Sequence, residues 1–179
     1  CVDLCPYADP SLLALLRTRS YVIKKFKNVM YRPLEPGSDF APLPCGPHVV
    51  EVDRADRAAI LRVAELVERG FHEGADPRPD RVAGTTRLML QSTATTFVAM
   101  LDGEAVGGGV AAWAGGPSAF FAASTLPEFR RRGVQSALIR ARLDWSRRQG
   151  ASLASIQAAP GVATRRNAER QGFRCAYTK

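Results

Sequence analysis

Three short apolar runs follow one another in the middle of the chain, and the first two end at turn signals. Thr95–Leu101 ends at Asp102-Gly103, Glu104–Ala114 ends at Gly115-Gly116-Pro117, and Ser118–Thr125 completes the set. Turns of this composition connect neighbouring strands of antiparallel sheets, so the region predicts a three-stranded antiparallel meander. Because a sheet must cover its apolar faces, the segments on either side of the meander decide the class of fold.

Both flanking regions combine strand and helix patterns. A strand over 48–52 is followed by a helix that begins near Asp53 and by a second helix over 81–93. After the meander come a helix from Val134, a strand over 152–159, a short basic helix over 162–171 and a last strand over 173–179. The two long helices carry apolar residues at helical spacing, namely Ile60, Val63, Ala64, Val67 and Phe71 in the first and Val134, Ala137, Leu138, Ala141 and Trp145 in the second. We therefore predict a mixed α/β domain over residues 47–179.

The N-terminal part has a separate pattern. Residues 1–34 predict a strand over 1–5, a helix over 9–19 and a second strand over 21–32, which would form an appendage to the main domain. Five prolines fall within residues 33–47, so residues 35–46 are interpreted as a linker.

Positive charge is concentrated at the C-terminal end. Residues 128–179 hold 12 basic and 3 acidic side chains, and 11 of the 12 are arginine. Arginine forms forked, charge-assisted bonds to phosphate. The alternative is a solvated basic surface of the kind that a GC-rich, bacterial-like genome produces.

The cysteines and histidines indicate no metal site. Cys1, Cys5, Cys45 and Cys175 are scattered, there are only two histidines, and no CxxC or HExxH spacing occurs. This pattern predicts reduced thiols in a cytoplasmic protein. No apolar run is long enough to suggest a membrane span.

Three arginines and a glycine stand where the helix from Val134 begins. A helix start already carries unpaired N–H groups and the positive end of the macrodipole, so Arg130, Arg131 and Arg132 would destabilise it unless an anion binds there. Gly133 lets a ligand approach the backbone closely. Because the stretch follows a strand and precedes a helix, we predict a pyrophosphate-binding nest of N–H groups over 131–136.

This stretch resembles the acyl-CoA-binding motif of the GNAT superfamily of acyltransferases, [R/Q]-x-x-G-x-[G/A]. Arg130 and Gly133 match the motif, whereas Gln135 stands where glycine or alanine is usual. The order of elements over residues 47–179 also resembles the family, as does the short helix that ends at Gly172-Phe173.

The resemblance implies a mostly antiparallel mixed sheet that splays open beside the strand ending at Thr125. It implies acetyl-CoA as co-substrate, no metal, and direct transfer of the acetyl group to a primary amine. The residues that it assigns to acetyl-CoA are Ser124, Thr125, Leu126, Arg130, Arg131, Arg132, Gly133, Val134, Gln135, Ser136 and Asn167.

The resemblance also points to candidate catalytic groups. Glu73, with His72 beside it, follows the first helix of the domain, in the region that forms the acceptor pocket of similar folds, and is the candidate base. Ala168 occupies the position where the family often has a tyrosine that protonates the departing thiolate. Asn167 and Tyr177 are the candidate substitutes.

Two other functions stay open at this point. One is a CoA-binding regulator without catalysis, and the other is a basic nucleic-acid-binding module. The second lacks aromatic residues among the basic ones and any zinc or helix-turn-helix pattern, so we expect no nucleic-acid partner. The expected partners are a small-molecule or peptide amine, and we allow for a homodimer.

Residues 1–34 also share an element order with the end of the chain. Residues 10–26 and 162–178 both predict a helix followed by a strand, with Ser20-Tyr21 opposite Gly172-Phe173. We therefore expect residues 1–34 to be the remnant of a preceding GNAT-like repeat. The alternating run over 22–31 is expected to pair with the main sheet, in this molecule or in a neighbour.

Overall fold

The computed structural model describes residues 2–35, 37, 40 and 46–179. In this part of the chain the helices are α1 Pro10–Thr18, α2 Arg57–Phe71, α3 Pro79–Met89, α4 Val134–Arg148 and α5 Ala163–Arg170. The strands are β1 Asn28–Pro33, β2 His48–Val52, β3 Ala94–Leu101, β4 Glu104–Ala112, β5 Ser118–Thr125, β6 Leu153–Ala158 and β7 Arg174–Thr178. Among the described helices, none is long and apolar enough to cross a membrane.

The seven described strands form one mixed sheet in the order β2-β3-β4-β5-β6-β1-β7. All neighbouring pairs are antiparallel except β5 and β6. The predicted meander is confirmed as β3, β4 and β5, and the predicted fold class is confirmed with it.

Helices cover both faces of the sheet because each long helix has one apolar face. Asp56 caps α2 by accepting the N–H of Ala59 at 2.8 Å, and the helix then packs Val63 and Val67 against β4. The other face is covered by α4, whose Leu138, Ile139 and Leu143 are fully buried. The core is therefore divided into two layers by the sheet.

The N-terminal appendage differs from the sequence prediction in two respects. Residues 2–5 form no strand, and the strand predicted over 21–32 is confined to Asn28–Pro33. This β1 is not an appendage, because it lies inside the sheet with Asn28 opposite both Ala158 of β6 and Thr178 of β7. Pairing with the main sheet, which the alternating pattern predicted, is confirmed for β1.

Most of the predicted linker over 35–46 lies outside the described residues. One residue within it is described in contact with the core: Phe40 is buried, and the Arg32 guanidinium lies 4.6 Å from its ring centroid.

The sheet opens between β5 and β6. These strands pair only from Ser118 to Phe120 on β5, opposite Ala154 to Ile156 on β6. Beyond Phe120 the strand bulges at Ala122, whose φ is 45°. The rest of β5 therefore has β4 on one side and an opening, the β5–β6 gap, on the other.

Candidate functional site

The β5 edge presents backbone groups to the β5–β6 gap. Leu126 donates its N–H to the carbonyl of Val106 in the chain of β4, at 3.0 Å. Since successive residues of an antiparallel ladder face opposite sides, Ser124 also faces β4, whereas Ala123 and Thr125 face the gap. Of the three strand residues assigned from the sequence, Thr125 alone offers its backbone to the gap, and Ala123 is a further residue that the motif did not indicate.

The loop over 127–133, here called the arginine loop, connects β5 to α4. It begins with a 3-10 turn at Pro127–Phe129 and contains two left-handed residues, Arg131 with φ 63° and Gly133 with φ 82°. Gly133 caps α4 without a side-chain bond, and the first bond of the helix runs from the N–H of Ala137 to the carbonyl of Gly133. The N–H groups of residues 134–136 therefore have no helical partner, which is the arrangement that binds anions.

Gln135, the departure from the motif, is used within the fold. Its Nε2 donates to Oγ1 of Thr125 at 2.9 Å, which joins the first turn of α4 to the end of β5. The long side chain therefore lies across the base of the loop and leaves the backbone donor in place.

The three arginines of the loop have different surroundings. Arg130 donates to Oε2 of Glu73 at 2.7 Å and to the carbonyl of Gly70 at 3.0 Å, so it closes the C-terminal end of α2. Arg132 bonds Asp102 at 2.9 Å. Within the described part of the chain, Arg131 has no ion pair or side-chain hydrogen bond, and its side chain is exposed. It is therefore the arginine of the loop whose charge is available to a ligand.

Glu73 is a solvated ion-pair partner. Its side chain is 74% exposed, and the hydrogen bond and charge of Arg130 lower the pKa of the carboxyl below its usual value. A carboxylate held in this way is a weaker base than a free one. Because Glu73 pairs with Arg130 of the arginine loop, it lies at the end of the gap that would hold phosphate.

A second carboxylate lies deeper in the same region. Glu68 is buried between α2 and α3, where it accepts the Oγ1 hydrogen of Thr85 at 2.6 Å. The Nδ1 of His72 lies 2.8 Å from the Glu68 carbonyl and 3.8 Å from its carboxylate. Because a carbonyl oxygen can only accept, Nδ1 carries a proton, and in the neutral imidazole the lone pair is then on Nε2. The His72 side chain is 43% exposed, so this nitrogen can meet a ligand.

The last turn of α2 is held against the gap-forming strand. A Cβ at Gly70 would lie 2.4 Å from Oγ of Ser124, so a glycine is required for this approach. Ser124 in turn donates to the carbonyl of Val67 at 2.7 Å. These contacts hold the last turn of α2, which His72 follows directly, beside Ser124 near the end of β5.

The two candidate acids lie in different places. Asn167 is on α5, half-buried, with its Oδ1 3.4 Å from Arg170. Ala168 is fully buried. Tyr177 is on β7, separated from β6 by β1, and its ring packs on that of Tyr7 at 6.3 Å. At about 4.8 Å per strand, β7 is about 10 Å from β6, so the structure does not bring Tyr177 to the gap.

The residues present fit a CoA-type ligand. Free N–H groups at the start of α4 and the unpaired Arg131 suit a pyrophosphate, and the open edge of β5 suits an amide-bearing arm. A Cβ at Gly133 would have only Pro47 within 4 Å, so the loop is open to an approaching group.

Sequence reasoning missed Glu68, Thr85 and Ala123. The i, i+4 spacing of Glu68 and His72 was the available signal for the first, but Thr85 is joined to Glu68 only by the packing of α3.

Comparison with known proteins agrees with this arrangement. The sequence profile of the acetyltransferase (GNAT) family matches residues 60–173. A GCN5-related N-acetyltransferase from Sphaerobacter thermophilus superimposes with a TM-score of 0.69 at 18% identity, over 96% of this chain and 55% of that one. A GNAT-family acetyltransferase from Novosphingobium aromaticivorans gives a TM-score of 0.58 at 18% identity, over 86% of this chain and 61% of that one.

A third solved structure is an aminoglycoside acetyltransferase from an uncultured soil metagenomic sample, in complex with sisomicin. It gives a TM-score of 0.56 at 18% identity, over 70% of this chain and 86% of that one. At these identities the solved structures share the fold with this chain, which spans about three fifths or less of the Novosphingobium and Sphaerobacter proteins. No curated protein matches the sequence. The family profile covers well over half of the chain, and the chain belongs to the acetyltransferase (GNAT) family, a family of acyltransferase enzymes.

Proposed function

We propose that this chain transfers the acetyl group of acetyl-CoA to the nitrogen of a primary amine by direct attack. The observation that carries the proposal is the meeting of two open features at one place. The β5–β6 gap ends where the arginine loop and the uncapped start of α4 supply free N–H groups.

The binding roles follow from the contacts of each residue. The N–H groups of residues 134–136 and the side chain of Arg131 would hold the pyrophosphate. The backbone of Ala123 and Thr125 would hold the amide-bearing arm beside β5. Asn167, which α5 carries, is the further residue proposed to contact the ligand. When bound, acetyl-CoA supplies an acyl group that is already activated as a thioester.

Direct attack requires a neutral amine, so a base must take its proton. His72 is the base that the geometry favours, because its Nδ1 is held by the Glu68 carbonyl and its Nε2 is free to accept. The nearby Glu68 carboxylate stabilises the positive charge that the imidazole gains, and Thr85 orients that carboxylate. Glu73 stays the alternative, although its ion pair with Arg130 opposes this role.

The acceptor is proposed to be a cationic amine of low molecular mass. Residues 46–127, which contain α2 and α3, hold 7 basic and 10 acidic side chains, so this half of the domain attracts cations weakly. The similarity in fold to an aminoglycoside acetyltransferase with bound sisomicin is consistent with such an acceptor. A cytoplasmic location stays a prediction of the cysteine pattern.

The test measures release of free thiol from acetyl-CoA with a panel of amines that includes aminoglycosides, polyamines and amino acids. We expect thiol release that depends on both substrates and falls about 100-fold in kcat for His72→Gln. Glu73→Gln, measured in parallel, decides between the two bases. Saturable CoA binding without turnover on any amine would instead support a non-catalytic regulator.

A further inference from the structure

The N-terminal segment leaves an apolar surface exposed. None of the residues of α1 is buried. In the stretch that follows, Tyr21, Val22, Ile23 and Phe26 are 52%, 86%, 78% and 55% exposed. We call α1 together with residues 21–26 the N-terminal face. Four large apolar side chains within six residues are an unusual surface for a segment that water alone covers.

The backbone of this stretch is also unpaired. Within the described part of the chain, residues 22–26 make no backbone hydrogen bond. The stretch is nevertheless anchored at its end, where Lys27 exchanges two backbone bonds with Lys179 at 2.8 and 2.9 Å. The segment therefore combines the valine, isoleucine and phenylalanine that favour strands with backbone groups that are still free to pair with another sheet.

The connection from α1 into this stretch repeats the connection from α5 into β7. Ser20 after α1 and Gly172 after α5 both have left-handed backbone, with φ of 55° and 78°. The next residue, Tyr21 or Phe173, donates its N–H in both cases to the carbonyl five residues back, at 3.0 Å. Both helices thus end in the same Schellman-type turn. Residue for residue, 22–26 corresponds to β7, Arg174–Thr178.

The two copies differ in what covers them. Phe173 is 3% exposed and packs on Phe120, whereas Tyr21 at the matching position is 52% exposed. The turn after α5 therefore lies on a hydrophobic core, whereas the turn after α1 has no core beneath it among the described residues. Residues 22–26 therefore follow the same kind of turn as β7, but they have no sheet to pair with among the described residues.

We propose that the N-terminal face docks into a preceding domain of the same fold, where residues 22–26 form a strand of its sheet. The chain would then cross directly from that sheet into this one as β1. A strand that followed β7 through a tight turn would pair with β7 in the antiparallel direction. In this domain β1 takes that place, with Asn28 opposite Thr178, although it comes from the other end of the chain. The Sphaerobacter and Novosphingobium proteins, of which this chain matches only 55% and 61%, have room for such a domain.

A second copy of this chain is a poorer occupant. Antiparallel pairing of residues 22–26 with themselves would centre on Lys24 and set it opposite its own counterpart, with Lys25 and Lys27 close by. Like charges directly opposite each other destabilise a strand pair. The occupant is therefore a sheet edge with neutral or acidic side chains facing these lysines.

The test compares the 179-residue chain with the same chain extended by the residues that its gene encodes before Cys1. Amide hydrogen exchange of residues 22–26 is the readout. We expect these amides to exchange at least about 100-fold more slowly in the extended chain, because a paired strand must open before it exchanges. Equal exchange in the two chains would overturn the proposal, as would an upstream region without this fold. Protection in a dimer of the 179-residue chain would assign the face to a second copy instead and would also overturn it.

A substitution separates docking from local structure. Ile23→Lys should leave the melting temperature of the 179-residue chain unchanged, since Ile23 is 78% exposed there, and should lower that of the extended chain by several degrees. Val50→Lys on β2, 41% exposed, is the matched control and should act equally in both chains. An extended chain that tolerates Ile23→Lys as well as Val50→Lys does would contradict the proposed docking.

Discussion

Two glycines at the opposite ends of α4 allow a sharp test of the anion-binding role of the arginine loop. Gly133 before the helix has φ 82° and Gly150 after it has φ 85°. A Cβ at Gly133 would meet only Pro47 at 3.8 Å, and a Cβ at Gly150 would meet nothing within 4 Å. Replacing either by valine therefore introduces the same left-handed strain, with no close contact at the Cβ, at two points about 25 Å apart along the helix.

The expected magnitudes follow from the backbone and from linkage. A non-glycine residue in left-handed backbone costs about 1–2 kcal/mol, so each variant should lose roughly 2–8 °C in melting temperature without ligand. In the wild type, CoA at one hundred times its Kd adds about 2.7 kcal/mol, or roughly 5–11 °C. If Gly133→Val weakens binding about 100-fold, the same CoA concentration adds only about 0.4 kcal/mol, which is under 2 °C.

The assay is a thermal-shift titration of wild type, Gly133→Val and Gly150→Val with CoA. We expect Gly150→Val to keep the full CoA shift and Gly133→Val to lose it, because only the backbone at position 133 shapes the donors at residues 134–136. Equal CoA shifts in the two variants would refute the role of the loop. A wild type whose melting temperature does not respond to millimolar CoA would refute the ligand itself.

Three further predictions concern single side chains. Arg131→Ala should weaken CoA binding about tenfold in calorimetry, since one charge-assisted contact is lost, and should leave the melting temperature of the free protein unchanged because Arg131 has no partner among the described residues. Burial lowers the pKa of the Arg142 guanidinium to about 9, and its terminal Nη2 has no described partner, so Arg142→Met should not reduce the free energy of unfolding at pH 7. Above pH 9 the unfolded chain keeps the proton of Arg142 and the folded chain loses it, so the free energy of unfolding of the wild type should rise with pH relative to that of Arg142→Met. The expected rise is up to about 1.4 kcal/mol per pH unit. Urea unfolding of both proteins at pH 8 and pH 10.5 measures it, and the absence of a rise would contradict the burial of this guanidinium. Asn167→Ala should lower kcat or CoA affinity, and Tyr177→Phe, two strands from β6, should change neither in a steady-state assay.

The sequence determined those features that depend on neighbours along the chain. The meander was readable because Asp102-Gly103 and Gly115-Gly116-Pro117 interrupt strand-type runs, and turn chemistry acts over a few residues. The arginine loop was readable for the same reason, since a strand, a glycine at a left-handed position and a helix start follow in one short stretch. These local signals were enough for the fold class and for the family.

Only the tertiary structure decided which distant residues meet. Three adjacent arginines look alike in sequence, yet their partners differ. Arg130 bonds Glu73, about sixty residues away, and Arg132 bonds Asp102, thirty residues away. Arg131 has no partner among the described residues. Glu68 becomes part of the candidate site through Thr85, which belongs to another helix. The place of β1 between β6 and β7 could likewise not be predicted from the sequence. An alternating pattern indicates a strand, but it does not tell whether the strand has one neighbour or two. Pairing across long loops is governed by shape and hydrogen-bond closure of the whole sheet, and those quantities exist only once the chain has folded.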